Sequence, residues 1–180
     1  MRYIALLRGI NVGGHKKILM KDLRDLLEKS KLLNNIETYI QSGNIIFESK
    51  KSDIENLQKE IHTYIYNKYH FEVSVQIYNK EEWDYFFKNN PFLEENELHI
   101  NRLYGTFMDK CPSEQNITLL EKVDFSPDTY QIDNNLIYTY YANGAGRSKM
   151  TNTVFEKKLE VSSTSRNWKT ISKIQELLSN

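Results

Sequence analysis

A single cysteine, Cys111, excludes an intrachain disulfide framework, and the four histidines, His15, His62, His70 and His99, lie too far apart to show metal-ligand spacing. Charge of one sign is equally scarce. Lys+Arg and Asp+Glu both number 24, so nothing overall draws the chain to nucleic acid or to an acidic membrane surface, and any basic patch must be local. No segment approaches the apolar length of a membrane span, and residues 1–7 are too short a run before Arg8 for a signal-peptide core. Catalytic motifs are missing too: no Cys/His pair, serine elbow, HExxH or acidic metal cluster has recognisable spacing. These absences weaken a hydrolase reading, leave open an enzyme built from scattered residues, and predict neither metal nor cofactor. A chain of 180 residues can form one sizeable domain or two small subdomains, and a lone thiol fits a reducing, cytoplasmic setting.

What the chain does have is a glycine-rich break in an apolar run. Arg8-Gly9-Ile10-Asn11-Val12-Gly13-Gly14-His15-Lys16-Lys17 interrupts a strand with three glycines and then delivers two lysines. Such glycines open backbone angles closed to other residues and let main chain approach a ligand, while Arg8, Lys16 and Lys17 supply charge suited to a phosphate or carboxylate. The same residues also suit a plain strand-to-helix connection, and they match neither the P-loop nor the dinucleotide fingerprint.

Periodicity orders the first half. Residues 3–7 are almost continuously apolar, the pattern of a central strand covered on both faces. Met20, Leu23, Leu26 and Leu27 recur at helical spacing over 19–32. Ile36, Thr38 and Ile40 alternate with polar neighbours, predicting an edge strand. Ser42-Gly43-Asn44 then reads as a tight turn with Gly43 at positive φ before the apolar Ile45-Ile46-Phe47. Ser52 with Glu55 forms a capping box for a helix to about 68, and Val73, Val75 and Ile77 alternate as another edge strand. The order strand, helix, strand, strand, helix, strand is the split βαββαβ arrangement of the ferredoxin-like fold. A right-handed crossover makes the first two strands parallel, which brings the glycine loop and Gln41-Ser42-Gly43-Asn44 to one edge of the sheet.

The second half predicts a smaller α+β subdomain over 79–180, packed against the first (1–78) and covering the other face of its sheet. Asn79 with Glu82 is a capping box for a helix carrying Trp83, Phe86 and Phe87, ended by Asn90-Pro91. A strand over 98–108, a helix over 113–122, a hairpin across Asp133-Asn134-Asn135 and two helices, 148–159 and 165–178, follow. Two polar clusters stand out. Gly144 to Lys149 is a small-residue loop feeding a helix start with Arg147 and Lys149, and Thr164 to Trp168 reads as a capped helix start with Arg166 and Asn167 in its first turn. Tyr138 and Tyr140 share a strand face that could stack on bases.

Arg8 to Gly14, Met20 with Leu23, Thr38 to Asn44, Asn90-Pro91-Phe92 and the TSRNWKT stretch 164–170 together resemble a widespread bacterial family, the domain of unknown function numbered 1697. The resemblance implies an α+β protein with a ferredoxin-like part, and no reaction, cofactor or partner. The residues themselves point to a pocket for a small anionic, phosphate-bearing or nucleotide-like ligand. Arg8, Gly9, Asn11, Gly13, Gly14, Lys16, Gln41, Ser42, Gly43 and Asn44 would line it. Arg147, Lys149, Arg166 and Asn167 would join if the second half folds over that edge. RNA or single-stranded DNA binding is a second reading, against which stand the neutral charge and a third strand offering only Phe47. A structural or protein-interaction domain is a third.

Overall fold

The computed structural model describes residues 1–179, with side chains at 1–94 and 99–179. Its chain divides into two compact units, the first formed by Met1–Tyr85 with the last turns of the final helix from Ile174 on, the second by Phe86–Lys173.

In the first unit the elements run β1 (Arg2–Leu7), α1 (Met20–Leu27), β2 (Asn34–Tyr39), β3 (Asn44–Glu48), α2 (Ile54–Tyr69), β4 (Val75–Asn79) and the start of α3 (Lys80–Lys88). The sheet order is β2-β3-β1-β4 with every neighbouring pair antiparallel, the order the split βαββαβ reading requires. Strand alternation explains why β1 and β3 carry unbroken apolar runs. Tyr3, Ala5, Leu7, Ile45 and Phe47 enter one core with Leu23, Leu57 and Ile61 of the two helices, while Ile4, Leu6 and Ile46 on the opposite face are also fully buried. Neither face of the central strands is wet.

Local chemistry moves several boundaries. The first helix stops at Leu27, short of the expected 32, because the Ser30 hydroxyl accepts from the Leu32 amide and donates to Glu60 of α2, turning the chain. The cap of α2 is Asp53, whose carboxylate accepts from the Asn56 amide, and Ser52 lies outside it. The Asn79–Glu82 box forms as read, with reciprocal 2.8 Å hydrogen bonds between each backbone amide and the other's side chain. Gly43 takes φ +78° as the turn demands. Ile40 was expected in the edge strand. It instead sits beyond it, exposed and at φ +48°, a left-handed conformation that β-branched residues rarely adopt.

The second unit runs from the end of α3 through a 3-10 segment (Glu94–Arg102), β5 (Leu103–Met108), α4 (Glu114–Glu121), β6 (Thr129–Asp133), β7 (Leu136–Tyr140), α5 (Asn152–Leu159), β8 (Ser163–Asn167) and most of α6 (Trp168–Ser179). Its sheet order is β6-β7-β5-β8, again all antiparallel. Numbered within its own unit, this is the order of the first sheet. The second half is thus a second split βαββαβ unit, where the sequence suggested only a strand, a hairpin and helices.

The difference comes from β8. Its residues, Ser-Thr-Ser-Arg-Asn, carry no apolar alternation and read as the start of a helix at Ser165. The chain instead pairs them with β5, and the helix begins only at Trp168. Polar side chains can fill this strand because they satisfy one another. The Ser165 and Thr106 hydroxyls are 2.6 Å apart, and Asn152 Oδ1 accepts from Ser163 at 3.0 Å and Ser165 at 2.9 Å. Likewise α5 starts at Asn152 on a Thr151 cap, so 148–151 are not helical, and β5 starts at Leu103. Phe86, Phe107, Tyr138 and Trp168 form an aromatic cluster on one face of this sheet, with Phe86 and Tyr138 stacked at 5.0 Å. Gly105 is glycine because a Cβ there would lie 2.3 Å from Phe86 Cζ. Among the described residues no helix is long and apolar enough to cross a membrane.

Candidate functional site

The loop after β1 does meet the β2–β3 turn, and Asn11 is the joint. Its Nδ2 donates to the Gln41 carbonyl at 2.8 Å and to the Ile18 carbonyl at 2.9 Å, while its Oδ1 accepts from the Ile18 amide at 2.9 Å. The residue sits at φ +56°, where asparagine is among the few side chains tolerated. One side chain therefore closes the glycine loop upon itself and ties it to a segment thirty positions along. Beside it, the Leu7 amide donates to the Gly43 carbonyl at 2.8 Å. A Cβ on Gly43 would lie 2.7 Å from Leu7 Cβ and 2.8 Å from Ile10 Cδ1, so close approach and left-handed φ both demand glycine there.

Within the loop, Gly13 and Gly14 form the middle of a miniature hairpin. The His15 amide donates to the Val12 carbonyl and the Lys16 carbonyl accepts from Asn11. Both central φ angles are positive, the geometry that selects a Gly-Gly pair in a two-residue turn. The turn alone accounts for Gly13. Gly14 has a further place, in the wall of a cleft.

That cleft encloses about 510 Å³ and is lined by Asn11, Gly14, Lys17, Ile18, Leu19, Asp22, Gln41 and Tyr69. It lies between the glycine loop, the start of α1, the turn before β3 and the end of α2. No side chain caps α1 at Leu19. The Tyr69 hydroxyl is buried and makes no hydrogen bond, and its pKa is raised above the usual phenol value, first by burial and then by the Asp22 carboxylate. Its ring stacks on Phe71 at 5.8 Å. Val12, Leu19 and Ile40, on the loop, the cleft wall and the neighbouring turn, are among the exposed large apolar residues.

The two loop lysines part company. Lys16 is turned away: its Nζ donates to the Glu72 carbonyl at 2.6 Å and stands 6.0 Å from the Phe71 ring centroid. Lys17, absent from the expected set, lines the cleft, as do Asp22 and Tyr69. A signal for Tyr69 was available in its place at the end of α2, but only coordinates show which end of that helix faces the loop. Of the other expected residues, Arg8 is exposed and its amide donates to the Ser74 carbonyl. Gly9 is exposed at φ +66°. Asn44 is buried, donating to the Tyr39 carbonyl and the Ser42 hydroxyl.

Arg147, Lys149, Arg166 and Asn167 belong to the second unit. Arg147 and Lys149 are exposed, one ending a short 3-10 turn (Ala145–Arg147) and the other following it, and neither opens a helix. Arg166 lies on β8 and not in a helical first turn. It is buried, its guanidinium donates to Thr164 Oγ1 at 2.6 Å and to the Ser165 carbonyl at 2.9 Å, and burial pulls its pKa down to about 10. Asn167 caps α6 by accepting from the Thr170 amide at 2.8 Å. Tyr138, offered as a base-stacking residue, is buried against Phe86 and donates its hydroxyl to the Phe86 carbonyl at 3.1 Å, and Phe47 is buried against Tyr3. No group of three or more His, Cys, Asp or Glu among the described residues is placed to hold a metal ion.

Among curated proteins none matches the chain. A solved structure, described as that of conserved bacterial protein SP0830 from Streptococcus pneumoniae, is similar over 99% of this chain and 98% of that one, with 26% identity and a TM-score of 0.79. The family model described as protein of unknown function (DUF1697) matches residues 1–138, all of the first unit's strands and the second unit as far as β7, and the chain belongs to that family.

Proposed function

We propose that the chain binds a small anionic, phosphate-bearing ligand in the cleft between the glycine loop, α1 and the end of α2. The observation that carries this reading is the cleft itself: about 510 Å³, within the range of small-molecule sites, with Lys17 and Gly14 in its wall and an uncapped helix start beside them. The phosphate side is accordingly Lys17 and Gly14, with Gln41, Asp22 and Tyr69 lining the rest of the cleft and Asn11 holding the walls in place, its own hydrogen-bonding groups already engaged. Lys16 and Asn44 are structural in this reading. With balanced charge and one thiol, we place the protein in the cytoplasm.

The reading as a nucleic-acid module has less support. Its aromatic candidates Phe47 and Tyr138 are core residues, and a balanced chain offers little attraction to phosphates in series. Isothermal titration of the whole chain against sugar phosphates and nucleotides tests the proposal, with Lys17→Ala as the matched control. Binding that Lys17→Ala weakens about tenfold is the expected result, in line with loss of a charge-assisted hydrogen bond. Absence of heat and of thermal stabilisation with every phosphate compound removes the proposal.

A further inference from the structure

Resting on that reading of the cleft, we propose that the ligand is a nucleotide, with its heterocyclic base read by Asp22 and Tyr69 and its phosphate held on the Lys17 and Gly14 side. The cleft is far larger than a phosphate needs, and its other walls do not suit a sugar phosphate. Ile18, Leu19 and the Tyr69 ring make them largely apolar, and Leu19 is 65% exposed. A planar base offers an apolar π-face to such a wall, whereas a sugar sets hydroxyls against it.

The polar groups agree. A buried hydroxyl without a partner is uncommon in a native fold, and Tyr69 has one in a residue that lines the cleft. Its raised pKa keeps it protonated, hence a donor. Asp22, exposed in the same wall, forms no ion pair among the described residues and supplies acceptors only. Both residues line the same cleft, which therefore holds one donor and one acceptor-only group. Heterocyclic bases present that pattern in reverse, with a ring nitrogen or carbonyl acceptor beside an N–H donor. The Asp22 carboxylate would also repel a phosphate, which assigns the phosphate to the Lys17 side and requires a ligand long enough to span the cleft.

The test is titration calorimetry on the full chain with the four common nucleoside monophosphates, their nucleosides, ribose 5-phosphate and inorganic phosphate. At least one nucleotide should bind tenfold or more tighter than ribose 5-phosphate. Asp22→Asn and Tyr69→Phe should each reduce that advantage severalfold by weakening the nucleotide without weakening ribose 5-phosphate, and Lys17→Ala should weaken both phosphate compounds. Both reading variants are benign to the fold, since Asp22 is exposed and Tyr69→Phe removes only an unbonded hydroxyl, and thermal melts verify this. Ribose 5-phosphate binding as tightly as every nucleotide overturns the base reading and leaves the anion reading standing. A nucleoside that binds as tightly as its nucleotide overturns the anion reading, and the nucleotide with it. No binding by any phosphate compound overturns both.

Discussion

Replacing Asn11 by alanine removes three hydrogen bonds at once, two from Nδ2 to the Gln41 and Ile18 carbonyls and one from the Ile18 amide to Oδ1. Each is worth about 1 kcal/mol net, and Ile18 is buried, so its amide loses its acceptor away from bulk water. Alanine must also hold the φ of +56°, at a cost of about 1 kcal/mol. The sum, about 4 kcal/mol, is a large part of the stability of a typical domain. Asn11→Gly separates the two contributions. It loses the same hydrogen bonds but adopts positive φ freely, and after its greater chain entropy is set against this it should be up to about 0.5 kcal/mol less damaging than alanine. Urea titration at constant slope reads the energies, and amide exchange at Ile18, slow in the parent and fast in both variants, reads the local cause. If both variants fall within about 1 kcal/mol of the parent, Asn11 does not stitch the two segments and the cleft has some other support.

Gly43→Ala should cost about 2–5 kcal/mol, because the new Cβ would crowd Leu7 and Ile10 and must also adopt φ +78°; a loss under about 1 kcal/mol in the same titration contradicts the close approach. At alkaline pH the chain should lose stability. Tyr3, Tyr69, Tyr130 and Tyr141 have folded-state pKa values raised above the ordinary 10.0, in each case first by burial, so the unfolded chain releases its phenolic protons first. Stability from these groups is complete below pH 10 and lost as pH climbs through their folded values. The depressed pKa of Arg166 acts in the opposite sense, recovering stability as pH rises above about 10. A phase of phenolate absorbance that rises together with unfolding, and a shallower loss for Tyr141→Phe, check the account.

The first unit was largely legible in the sequence because apolar period reports burial directly. The unbroken runs at β1 and β3 and the glycine in the turn between β2 and β3 were enough to order the sheet. The second unit was half hidden, since β8 is built from hydroxyls that satisfy one another, and a polar strand whose partners lie 11 to 59 residues away carries no periodic signal. At the site, the convergence of the glycine loop with Gln41 followed from topology. The choice between Lys16 and Lys17 did not. Adjacent residues on an irregular backbone point by local φ, and Lys16 at φ +47° is swung onto Phe71 and the Glu72 carbonyl. Asp22 carries no signal of its own in the sequence, since helices commonly hold such carboxylates, and only the cleft sets it apart.

The return of α6 to the first unit orders events during translation. Ile174 and Leu178 are buried members of a unit whose strands are all made within the first 79 residues, and Gln175 donates to Asp84 at 2.7 Å. The ribosome therefore begins this unit first and supplies its closing helical turns roughly ninety residues later. A nascent chain arrested ahead of Ile174 would carry a complete set of strands still waiting for that helix, a state in which chaperones would find their binding surface.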